Sequence, residues 1–130
     1  MSETAQKIGP DKSLLLLDDD EAFLKRLARA MEKRGFEVRT AESVEEGLAA
    51  VRDTTPAYAV IDLRLGDGNG LDVVEQIRER REDTRIVVLT GYGAIATAVA
   101  AVKIGATDYL SKPADANQIS AALLATGEDL

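Results

Sequence analysis

At 130 residues the chain fits one domain, long enough to bury roughly two thirds of its unfolded surface, and its 45% hydrophobic and 30% charged residues describe a globular protein. A formal charge of −7, with Lys and Arg scattered among the acids, makes this piece alone a poor match for nucleic acid. With neither Cys nor His, disulfides, thiolate and imidazole metal ligands and Ser-His pairs are excluded, so carboxylates, Lys, Thr and Tyr must carry any chemistry.

No apolar run approaches the ~20 residues a membrane span needs, so no membrane contact is expected. Met1 to Lys12 is polar and lacks a signal-peptide core. It reads as a loose tail before a domain covering 13–130, and the cytoplasm is the expected compartment.

Ser13 to Leu17 is a leucine run ending in Asp18-Asp19-Asp20, a first buried strand closed by acids. Phe23, Leu24, Leu27, Ala30 and Met31 then recur at helical spacing over Glu21 to Arg34, and Gly35 is placed to end that helix in the left-handed conformation. Phe36 to Thr40 alternates as a second strand. Ser43 with Glu46 has the form of a capping box opening a helix to about Asp53.

Tyr58-Ala59-Val60-Ile61-Asp62 is a short apolar run that stops on an acid, as a strand buried on both faces would. Leu63 to Gly70 is rich in turn residues. An amphipathic helix is expected from Leu71 to Arg81, a strand over Arg85 to Thr90 and a helix from Ala94 to Ile104 stopped by Gly105. Asp108 to Ser111 reads as a short fifth strand, Lys112-Pro113 as a forced turn and Asn117 to Ala125 as the last helix. Strands alternating with helices imply an α/β fold, a five-stranded parallel sheet with helices on both faces joined by right-handed crossovers.

In such a sheet the carboxyl ends of the strands share one edge, where ligands bind. That edge collects Asp18 and Asp19, Asp62, Thr90 and Lys112. Three carboxylates raise one another's pKa, and a hard divalent cation resolves the conflict. Mg²⁺ suits oxygen ligands with water in the remaining positions and leaves room for a phosphate oxygen. Asp62 is then the phosphoacceptor that attacks phosphorus, Asp19 a direct metal ligand, Asp18 a supporting one through water, and the backbone carbonyl of Arg64 a further ligand. Lys112 supplies positive charge and Thr90 a hydroxyl donor. Pro113 permits a cis bond that would turn Lys112 back toward the pocket.

LLLLDDD, YAVIDLRLGDGNGLD, VVLTG and GATDYLSKP, in this order, resemble the receiver domain of bacterial two-component response regulators from Ser13 to about Ala125. The resemblance implies a flavodoxin-like doubly wound sheet in the order 2-1-3-4-5, phosphorylated at Asp62 by a sensor histidine kinase. DLRLGDGNGLD with KPADAN is more narrowly similar to the redox-responsive RegA/PrrA/ActR type. Those regulators control transcription through a C-terminal helix-turn-helix domain, so DNA contact is expected only through a domain that this chain lacks. The protein would be no enzyme beyond catalysing its own aspartyl phosphorylation and dephosphorylation.

Two positions depart from the common receiver pattern. Gly66 stands where most receivers have proline, and Ala114 where an aromatic usually follows Lys-Pro. Arg64 and Tyr92 are large enough to screen an acyl phosphate from water, so slow self-dephosphorylation is expected. The family's switch implies paired movements of Thr90 and Tyr109. The nearly all-apolar helix Ala94 to Ile104, with the last strand and helix, forms the expected face of a phosphorylation-dependent homodimer.

Taken singly, these residues have ordinary explanations: a triple Asp caps helices, a strand-end Thr satisfies backbone and a Lys is usually solvated. GDGNG has neither the P-loop lysine nor dinucleotide spacing. Other classes fit less well. A haloacid-dehalogenase-like phosphatase wants its nucleophile on the first strand in Asp-x-Asp-x-Thr, where Asp18 leads to Asp20 and Ala22. A flavodoxin-like carrier wants hydroxyls where this chain has acids. A receiver that never gains phosphate would serve as an interaction module alone.

Overall fold

Three strands buried on both faces form the centre of the sheet, and their alternation sorts side chains into two cores. In this computed structural model, which describes residues 8–91 and 95–125, they are β1 (Ser13–Leu17), β3 (Tyr58–Asp62) and β6 (Arg85–Thr90). Leu15, Leu17, Ala59, Ile61, Ile86 and Val88 face one core, while Leu14, Leu16, Tyr58, Val60, Val87 and Leu89 face the other. Period-2 geometry with helices on both sides demands this pattern, and it explains why these strands read as continuous apolar runs.

The first core is closed by α2 (Val44–Asp53), α3 (Leu71–Arg80) and part of α4 (Ile95–Lys103), through Val51, Val73, Val74, Ile77 and Ala101. The second is closed by α1 (Glu21–Lys33) and α5 (Ala116–Leu124), through Leu24, Leu27, Met31, Ile119 and Leu123. Burying side chains of this size contributes about 1.5–3 kcal/mol each, which makes the two cores the main source of cohesion. β2 (Glu37–Ala41) and β7 (Asp108–Ser111) are the exposed edges.

All pairings in the large sheet are parallel. The order is β2-β1-β3-β6-β7, which is the expected 2-1-3-4-5 once a small antiparallel hairpin, β4 (Arg64–Leu65) with β5 (Gly68–Asn69), is set aside.

Local chemistry sets the ends. Asp20 caps α1 by accepting from the Phe23 N–H at 3.1 Å, and Gly35, at φ +102°, makes the left-handed exit. Ser43 caps α2 as expected, but the Glu46 carboxylate reaches the Glu42 N–H at 2.8 Å, one residue earlier than a capping box requires. Gly105, at φ +121°, follows α4, and Arg78 of α3 ties down that exit by donating to the Gly105 carbonyl at 2.6 Å.

The loose tail expected to reach Lys12 needs correction over its described part. Ile8 packs against the second core, the Gly9 N–H donates to the Tyr58 hydroxyl at 3.0 Å and Asp11 pairs with Arg81 at 2.8 Å. The segment is held by partners remote in sequence, Tyr58 at the start of β3 and Arg81 just after α3. Among the described residues no helix is long and apolar enough to cross a membrane.

Candidate functional site

Because β1 and β3 are parallel neighbours in register, with Leu17 beside Ile61, the residues that follow them emerge together. Asp18 and Asp62 are 2% and 4% exposed, whereas Asp19 is exposed. One carboxylate oxygen from each of the three lies within 4.8 Å of the others. Lys112 enters from beyond β7 across a cis Lys112–Pro113 bond. Its ammonium is 2.8 Å from Asp18 Oδ2 and 3.2 Å from Asp62 Oδ2.

One ammonium therefore pairs with two buried acids, while the third, Asp19, lies beside them. Burial, then the charge of Asp18, pushes the Asp62 carboxyl above its usual range, with Lys112 opposing. Burial works against the charged form of Lys112, but its bond to Asp18 and the two carboxylate charges outweigh that, and its pKa is raised.

The other oxygens have defined partners. Asp18 Oδ1 accepts from the Asp20 N–H at 2.9 Å, and Asp62 Oδ1 from the Arg64 N–H at 3.2 Å. Asp18 Oδ2 is buried, and its close partner is the Lys112 ammonium at 2.8 Å. Three carboxylates with ligand oxygens within 4.8 Å of one another and a single ammonium beside them are left with excess negative charge, a donor set that fits a hard divalent cation with oxygen ligands.

Thr90 closes β6 and is 4% exposed. Its hydroxyl, expected to reach toward a phosphoryl group, here donates to the Leu110 carbonyl at 3.4 Å. Tyr109 lies on β7 and is 41% exposed. Ile95, Val99 and Val102 of α4 are also exposed, at 71%, 44% and 43%. Arg64 is exposed on β4, and its Cδ passes 3.9 Å from where a Cβ on Gly91 would stand. Tyr92 and Ala94 lie outside the described residues.

Sequence reasoning missed three contributors. The Phe23 ring lies 5.3 Å below the Lys112 ammonium as a cation–π support, although its helical spacing marked it only as core. Gly70 leaves room for the Asp62 carbonyl, and its signal was a glycine directly before α3. Asp67 bonds the start of α2 from the turn-rich segment. Ala114 helps to line a groove of about 360 Å³ between α1 and the loop after β7, with Phe23, Arg26 and Leu27 on its other side.

A doubly wound sheet with acids clustered on its ligand edge around a strand-end aspartate and a lysine defines a receiver-type domain. The response regulator receiver domain profile matches residues 14–124, and the chain belongs to that family, the domains through which two-component response regulators receive phosphate from a sensor kinase. Over 124 residues it is 75% identical to the photosynthetic apparatus regulatory protein RegA of Cereibacter sphaeroides, covering 95% of this chain and 67% of that one. Over 120 residues it is 70% identical to the acid tolerance regulatory protein ActR of Sinorhizobium medicae, covering 92% of this chain and 62% of that one. The chain thus spans a little under or over two thirds of these relatives. A solved response regulator from Burkholderia pseudomallei, with a phosphorylated aspartic acid, calcium ion and citrate, matches with a TM-score of 0.84 at 43% identity, over 92% of this chain and 70% of that one.

Proposed function

We propose that this domain accepts a phosphoryl group on Asp62, in a Mg²⁺-dependent transfer from the phosphohistidine of a sensor kinase. The observation that carries the reading is the meeting of Asp18, Asp19 and Asp62 within 4.8 Å, with Lys112 at 3.2 Å from Asp62. An Asp62 oxygen bonds to phosphorus as the bond to the imidazole nitrogen breaks, and the imidazole leaves with the electron pair. Asp18, Asp19, Asp62 and the Arg64 carbonyl would hold the cation, which when bound would supply positive charge against the phosphoryl oxygens. Lys112, braced on Phe23, keeps its ammonium beside the receiving carboxylate. The chain catalyses only its own phosphorylation and dephosphorylation. Arg64 slows the latter by covering the acyl phosphate.

Phosphorylation draws the Thr90 hydroxyl off Leu110 and turns the Tyr109 ring inward. The exposed apolar side of α4, with β7 and α5, then pairs with a second copy. In the full-length protein this switch governs transcription through a separate DNA-binding domain in the cytoplasm. The burial of Tyr109 is the step that reshapes that face, since it moves a large amphipathic ring.

The test is incubation with acetyl phosphate, with and without Mg²⁺, followed on a phosphate-affinity gel. A Mg²⁺-dependent shifted band that Asp62→Ala abolishes supports the proposal. A band that persists in Asp62→Ala overturns it. Repeated turnover of phosphomonoesters would point to a phosphatase instead.

A further inference from the structure

The hairpin β4–β5 carries Arg64 to the site yet has little to hold it in shape. Each strand is two residues long, and such an isolated ribbon is marginal in water. Gly66 and Gly68 add backbone freedom along it, and Gly68 sits at φ +154°. Its ends are fixed: the Arg64 N–H donates to Asp62 Oδ1 at 3.2 Å, Leu65 is 9% exposed, and Asn69 accepts from the Leu71 N–H at 2.8 Å. Its tip is fixed by Asp67, which accepts from the Val44 N–H at 2.9 Å through Oδ1 and from the Glu45 N–H at 3.2 Å through Oδ2.

From this bidentate anchor we infer that Asp67 is a positioning residue for the metal-binding loop, holding the Arg64 backbone in place by pinning the hairpin to the start of α2. The inference rests on the Mg²⁺-dependent reading above. Charge-assisted bonds to backbone N–H groups at a helix start are among the stronger kind, and α2 holds its side of the joint rigidly. Ser43 accepts from the Glu46 N–H at 3.1 Å, the Glu46 carboxylate holds the Glu42 N–H, and Val44 is 7% exposed. Removing Asp67 therefore leaves α2 with its own cap, and the freedom gained falls on the glycine-rich hairpin. Its carboxyl pKa is held below the ordinary range first by the Val44 N–H, so the side chain is an anion under physiological conditions. Asp67 is itself exposed and touches neither Asp62 nor Lys112 through any hydrogen bond among the described residues, which makes its influence indirect.

The test compares wild type, Asp67→Ala and Asp67→Asn by calorimetric Mg²⁺ titration, and by amide hydrogen exchange at Arg64 and Glu46 in metal-free protein. Asp67→Ala should weaken Mg²⁺ binding about tenfold, as losing an outer support of a metal ligand does. It should also speed exchange at Arg64 while Glu46 stays protected. Asp67→Asn, which keeps one acceptor, should fall between. Mg²⁺ affinity within about twofold of wild type in Asp67→Ala, or faster exchange at Glu46 alone, would show an ordinary helix cap and overturn the inference. Absence of Mg²⁺ binding by the wild type would overturn the metal reading itself, a separate result from a failure confined to the variants.

Discussion

A Cβ placed on Gly70 would stand 2.5 Å from the backbone carbonyl oxygen of Asp62 and 2.7 Å from Ile61 Cγ2. The glycine itself is unstrained, at φ −61° and ψ −13°. Without those neighbours, alanine there would stabilise by about 0.4–1 kcal/mol through the unfolded chain. Crowding a fixed backbone atom instead costs typically ~1–3 kcal/mol, so the steric effect wins. Gly70→Ala should lower the urea midpoint and slow phosphorylation by acetyl phosphate, because the displaced atom belongs to Asp62. A variant as stable as wild type or more so would contradict the close approach.

Asp62 should cost the metal-free fold stability at neutral pH. Its folded pKa lies above the unfolded value of 3.8, through burial first and Asp18 second. A raised carboxyl pKa means the folded state holds the proton more tightly, so its stabilisation is present at low pH and lost as pH rises through the folded pKa. Asp62→Asn should therefore melt a few degrees higher than wild type at neutral pH without metal. The gap should narrow as pH falls through the raised pKa toward 3.8. Thermal melts across that range check both sign and window, and a less stable variant at neutral pH would refute it.

Thr90 donates to the Leu110 carbonyl in the present arrangement, and Tyr109, the residue before Leu110 on the neighbouring strand, is half-exposed. Thr90→Ala should leave phosphorylation measurable while weakening any gain in molecular mass when beryllofluoride and Mg²⁺ are added. Light scattering reads the change. A mass increase equal to wild type would remove Thr90 from the switch.

Arg64 lies exposed over the edge where Asp62 would carry phosphate. Arg64→Asn should shorten the lifetime of the phosphorylated form severalfold, measured by the decay of the phosphate-affinity band after removal of acetyl phosphate. A wild-type half-life in seconds that the substitution leaves unchanged would contradict a screening role.

The central strands were legible because two-sided burial leaves unbroken apolar runs, and the acids ending β1 and β3 gave the site edge away. Smaller features escaped for physical reasons. Two-residue strands have no periodicity, so β4 and β5 read as turn. Ile8 to Lys12 has no apolar periodicity, and its attachment depends on Tyr58 and Arg81, which local pattern does not link to it. Phe23 fits the core face of α1 so well that its place beneath Lys112 had no separate signal. Thr90 was placed correctly at the strand end, but a strand-end position does not determine a hydroxyl's rotamer.

Borohydride trapping tests the phosphoacceptor assignment most directly. The protein is phosphorylated with acetyl phosphate and Mg²⁺, reduced so that an aspartyl phosphate becomes homoserine, and mapped by peptide mass spectrometry. The account predicts homoserine at position 62 alone and none when Mg²⁺ is chelated. Conversion at another aspartate, or none at position 62 in protein shown to carry phosphate, would contradict it.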